Sequence, residues 1–138
     1  MSKYYTPSIE EFHVGFEFED RHSNYPEEEK NWISRLYTLR AEYELDTVQD
    51  RIKNNKIRVK HLDREDIESL GWVSGESYGM SCYLRTDENG VAIIDGYQLD
   101  FHSWELVEIY QESTSDLKFS GTIKNKSELK QILKQLGI

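Results

Sequence analysis

The sequence predicts an α+β domain: a mainly antiparallel sheet with short helices and an amphipathic C-terminal helix packed on it. Three observations lead there. From residue 76 the chain breaks into short runs, "SYGMSCYLRT", "GVAIIDGYQLD", "SWELVEIYQ" and "DLKFSGTI", separated by turn chemistry. The closing "NKSELKQILKQLGI" repeats apolar residues at helical spacing. The length, 138 residues, is one domain's worth, read as 1–138, and is enough to bury a single core.

Taken in order, "EEFHVGFEFED" places Phe12, Val14, Phe16 and Phe18 on one face at period two, the mark of a half-buried strand. "RHSNYPEEE" interrupts it with turn formers. "NWISRLYTLRAEY" admits both readings. Trp32, Leu36, Leu39 and Tyr43 fit a helix, while its Trp, Ile, Tyr and Thr content favours a strand paired with the first. "DTVQDRIKNN" reads as a short helix capped by Asp46, with Val48 and Ile52 inward. "KIRVKHL" is a strand with Ile57 and Val59 inward. "LDREDIESLGW" is a short helix capped by Asp63, with Ile67 and Leu70 inward and Gly71 closing it.

"GWVSGESYG" reads as a flexible loop, Gly71 to Gly79, placed to serve as a lid. "DENG" is the clearest hairpin turn, because Asn89 and Gly90 tolerate positive φ. In "SWELVEIYQ", Trp104, Leu106 and Glu108 alternate with Glu105, Val107 and Ile109, a strand with apolar residues on both faces. In the last helix Asn125 and Glu128 have capping-box spacing. Leu129, Ile132, Leu133 and Leu136 form its stripe, and Gly137 ends it.

Composition narrows the function. The net charge of −9 argues against broad nucleic-acid binding, which needs clustered Lys and Arg. Lys124, Lys126, Lys130 and Lys134 sit on the wet face of an amphipathic helix, with no arginine among them. Cys82 is the only cysteine, so no intrachain disulfide forms, and it reads as a buried structural residue. The N-terminus lacks the apolar run of a signal peptide, and no segment is apolar enough to span a bilayer. A cytoplasmic setting and no membrane partner are the expectation.

Three blocks, "YTPSIEEFHVGFEFE", "IRVKHLDREDIESLGW" and "FSGTIKNKSELKQILKQLGI", together resemble small accessory proteins of tailed phages and mobile elements of gut bacteria. The resemblance covers roughly half the chain. It implies a short accessory protein working in a host cytoplasm, and it carries over no catalytic residues.

On one strand face His13, Glu17 and Glu19 would line up beside Gly15, and two carboxylates with an imidazole can hold Mg²⁺, Mn²⁺ or Zn²⁺. "GFEFE" also resembles the first strand of carboxylate–amine ligases, whose paired glutamates bind the magnesium of ATP. Those enzymes are far longer, and no nucleotide-phosphate loop is present here. Polar alternation on a half-exposed strand is what any antiparallel sheet shows, so the solvated-face reading stands first and no metal or other cofactor is expected.

The resemblance to phage accessory proteins, the small size, the many aromatics and the lack of catalytic motifs point to a non-catalytic binding protein, for instance a counter-defence factor that engages a host protein or sequesters a small nucleotide signal. The alternatives are a small metal-dependent enzyme using His13, Glu17 and Glu19, or a virion or assembly component. Residues 71–117 hold nine acidic residues against Arg85 alone, interleaved with aromatics. Trp72, Tyr78, Tyr83, Arg85, Tyr97 and Trp104 are the candidate binding residues. Some of the aromatics turn inward, and Asp95, Asp100, Glu105 and Glu112 stand nearer the rim, an arrangement suited to a host protein with a basic surface.

Overall fold

Strands and helices segregate into an α+β architecture with two antiparallel sheets and a C-terminal helix. The computed structural model describes residues 3–21, 32–38, 45–77 and 79–138. These fall into two compact units, Met1–His61 and Leu62–Ile138, each with its own apolar core. No helix among the described residues is long and apolar enough to cross a membrane.

In the first unit β1 (Tyr4–Tyr5), β2 (Glu17–Arg21), β3 (Trp32–Leu36) and β4 (Ile57–Lys60) form a sheet of order β1-β4-β2-β3, and α1 spans Leu45–Lys53. Phe16, Phe18, Tyr37, Val48, Ile57 and Val59 are its buried core. Asp20, on the same buried side, is ion-paired with Arg51 of α1, whose Nε donates to it at 2.9 Å. The strand expected from Phe12 begins instead at Glu17. Ile9–Glu11 is a 3₁₀ turn, and the Phe16 N–H closes the next turn on the His13 carbonyl at 2.9 Å. Gly15, at φ +91°, supplies the reversal that a side chain would resist. Phe12 still reaches the core, 4.8 Å from the Phe16 ring, while Val14 faces solvent.

The segment after residue 31 is a strand over Trp32–Leu36, paired antiparallel with β2. The part of it from residue 39 to 43 lies outside the described residues. In α1 the first helical residue is Leu45, so Asp46 sits in the first turn near the positive end of the dipole instead of at the cap.

In the second unit α2 (Arg64–Ser69) leads into β5 (Trp72–Ser77), β6 (Met80–Arg85), β7 (Tyr97–Phe101), β8 (Leu106–Gln111) and β9 (Asp116–Thr122), then α3 (Lys126–Leu136). The five strands form an antiparallel meander in chain order. Ile67, Trp72, Leu99, Val107, Ile109, Ile123, Leu129 and Leu133 bury one face of the sheet under the helices. Asp63 accepts from the Asp66 N–H at 2.9 Å, and Asn125 from the Glu128 N–H at 2.9 Å, so both caps stand as the spacing implies. Gly137 ends α3 at φ +73°. The Asp87–Gly90 turn also forms, with the Asp87 side chain accepting from the Asn89 and Val91 N–H groups.

Two expectations are corrected here. The stretch "GWVSGESYG" is largely strand: β5 makes six consecutive pairs with β6, and the buried Trp72 anchors it. Trp104 is not on a strand. It stands in a three-residue tip, Ser103–Glu105, and β8 starts at Leu106 with only Val107 and Ile109 fully buried.

Candidate functional site

Strand alternation sorts the side chains of the second unit onto two faces. Tyr83 pairs with Leu99, and Leu99 with Ile109, so these look toward the helices. Gln98, Asp100, Glu108 and Tyr110 therefore occupy the opposite, open face. Asp100 lies directly across from Glu108, a juxtaposition of like charges that is unfavourable unless donors intervene. They do. Gln98 Nε2 donates to Asp100 at 2.8 Å, Tyr110 Oη donates to Glu108 Oε2 at 2.8 Å, and His102 Nε2 lies 2.8 Å from Glu108 Oε1. The bond to Glu108, helped by burial, pushes the Tyr110 phenol up. Burial, with the Asp100 charge next, pushes the Cys82 thiol up, as suits a structural cysteine.

The tip between β7 and β8 is the most unusual local structure. The His102 N–H donates to the Leu106 carbonyl at 2.8 Å, closing the loop. Trp104 (φ 65°, ψ 30°) and Glu105 (φ 62°) both adopt the left-handed conformation, which costs a bulky L-residue about 1–2 kcal/mol. That backbone leaves the Trp104 side chain 89% exposed. β6 begins and β7 ends at this same end of the sheet, so Met80 (70% exposed) and Leu106 (36%) lie there too. Glu105 adjoins Trp104 in the chain, and Asp100 and Glu108 stand on the open face one pair in from this end.

On the helix side, two adjoining cavities of about 470 Å³ and 580 Å³ run past β5. Both are lined by Arg64 and Ser74, the first also by Glu76, Tyr83 and Phe101. Arg64 Nε donates to Glu68 at 2.8 Å and its Nη2 to Ser74 Oγ at 3.0 Å. Burial raises the Tyr83 phenol, and Arg64 opposes that rise.

The six candidate binding residues do not converge. Trp72 is 2% exposed and belongs to the core. Arg85 is a structural clamp: its Nη1 donates to the Leu70 and Gly71 carbonyls, and its guanidinium lies 5.4 Å from the Trp72 ring centroid. Tyr83 and Tyr97 pack against the core, although Tyr83 also floors a cavity. Tyr78 lies outside the described residues. Among the described candidates Trp104 alone is largely exposed. The association of Met80 and Leu106 with it was hidden in sequence, because it depends on which strand ends coincide.

His13, Glu17 and Glu19 are not brought together on one strand. His13 lies in the turn before β2, its Nδ1 3.1 Å from the Val14 carbonyl. Glu19 accepts from Arg58 Nε at 2.9 Å, and the Arg58 guanidinium also stacks 3.6 Å from the Tyr4 and 4.2 Å from the Trp32 ring centroids. Among the described residues no group of three His, Cys, Asp or Glu side chains is arranged to hold a metal ion. No protein family, curated protein or solved structure matches this chain.

Proposed function

We propose that the chain is a non-catalytic binding protein whose second unit docks a basic protein surface around Trp104. The observation that carries this reading is a tryptophan held 89% exposed on a left-handed backbone. A solvent-facing indole adds nothing to the core, yet Trp is the side chain most enriched among interface anchors. Met80 and Leu106 extend the apolar centre, and Glu105, Asp100 and Glu108 supply an acidic surround. Arg85 does not neutralise it, being committed to backbone carbonyls. The resemblance to phage accessory proteins supports a host protein as the partner and counter-defence as the setting.

The test is affinity capture from bacterial lysate with the wild-type chain and the Trp104→Ala variant, at low and high salt. The reading expects a retained protein at low salt that the variant loses. If neither chain retains a protein while a nucleotide raises the melting temperature by several degrees, sequestration of a small signal replaces it.

A further inference from the structure

We propose that β5 accepts an extended peptide bearing Lys or Arg at alternate positions, as a sixth strand of the second sheet. In a five-stranded meander only β5 and β9 are edges. Edge strands template further pairing unless guarded by charge, proline or a bulge. β9 is guarded: it carries the exposed Lys118, and its register with β8 shifts at Ile109/Tyr110. β5, "WVSGES", has no Pro and runs in unbroken register with β6, and its one charge, Glu76, repels an acidic strand but would attract a basic one.

The register identifies the free backbone groups. The Thr86 N–H donates to the Gly71 carbonyl at 3.0 Å, and hydrogen-bonded pairs alternate along an antiparallel ladder. Gly71, Val73, Gly75 and Ser77 thus direct their backbone toward β6. Trp72, Ser74 and Glu76 direct theirs outward, and among the described residues no other backbone group pairs with them there. Ser74 and Glu76 are exposed.

The cavities supply specificity. A strand laid against β5 would place every second side chain on the helix side, over the channel lined by Ser74, Glu76 and Tyr83. Glu68, Glu76, Asp87 and Glu88 line the two cavities, and their one cation near the edge, Arg64, is already bonded to Glu68 and Ser74. Basic side chains are the complement. Residues directly opposite on paired strands share a face, so these basic residues face the exposed Ser74 and Glu76, and their own N–H groups make the bonds to β5. The inference shares with the Trp104 reading only an acidic balance, so the two fail separately.

The experiment uses the full chain and a capped eight-residue peptide alternating lysine and valine. At saturation the amides of Ser74 and Glu76 should exchange about tenfold more slowly, as newly hydrogen-bonded groups do. Methylating the lysine backbone nitrogens should weaken binding about tenfold or more, whereas methylating the valine nitrogens should not. Ser74→Pro, tolerated where an edge N–H faces outward, should also weaken it, with the melting temperature as the control for folding. Trp104→Ala should bind the peptide like the wild type. Equal affinity for both methylated peptides, unprotected Ser74 and Glu76 amides, or no binding at millimolar peptide would overturn the proposal.

Discussion

The Ile123 N–H donates to the Glu105 carbonyl at 3.0 Å, and this bond ties the tip that carries Trp104 to the chain leaving β9. Glu105 is thereby held in its left-handed conformation, and the adjoining Trp104 stays exposed, as the proposed docking role requires. Preorganisation matters because ordering a flexible loop on binding would oppose affinity.

Trp104→Gly is therefore expected to leave stability unchanged or raise it by about 1 kcal/mol, since glycine occupies positive φ freely. Urea denaturation checks this. A loss above about 1 kcal/mol would show that the exposed indole is structural after all.

Leu133→Ala should cost about 2–5 kcal/mol, because the side chain is buried between α3 and the sheet. Equilibrium unfolding reads it. A change below about half a kcal/mol would contradict the packing of α3, being the size of an ordinary surface substitution.

Much of this architecture was legible in sequence. Asp63, Asn125 and Gly137 signal helix ends through local chemistry, which tertiary context rarely overrides, and all three do so here. The failures have a common cause. Phe12 to Phe18 alternates like a strand, but Gly15 inserts a turn that period counting does not detect. Gly75 and the serines of β5 resemble loop composition, although pairing with β6 holds them in a strand. Nothing in "HSWEL" announces two consecutive left-handed residues without glycine. The candidate site was less legible than the fold, since only strand register places Met80, Leu106 and Trp104 at the same end of the sheet.

Glu19→Gln should destabilise the first unit by about 1 kcal/mol, at the upper end for a partly exposed ion pair. Arg58 keeps its Tyr4 and Trp32 stacks but loses a charged partner, and its side chain is only 13% exposed. Thermal unfolding of the variant measures this. An unchanged melting temperature would mean that the aromatic stacks alone hold Arg58.

Tyr110 gives the pH dependence. Its phenol is raised by the bond to Glu108, so the neutral form is favoured in the fold. The resulting stabilisation is fully present below the ordinary tyrosine pKa of about 10 and is lost as pH rises through the higher folded value. Titration by phenolate absorbance should show Tyr83 and Tyr110 ionising late, and Glu108→Gln should bring only Tyr110 back toward the ordinary value. A titration unaffected by that variant would remove Glu108 as the cause.

The central claim is best tested by the kinetics of the captured partner binding to the immobilised chain across ionic strength. Long-range attraction to an acidic surface is screened within about 10 Å at 0.1 M salt. The account predicts an association rate that falls steeply with salt, a dissociation rate that changes little, and a Trp104→Ala variant that dissociates much faster. An association rate indifferent to salt, together with a Trp104→Ala variant that holds the partner as long as the wild type, would contradict it.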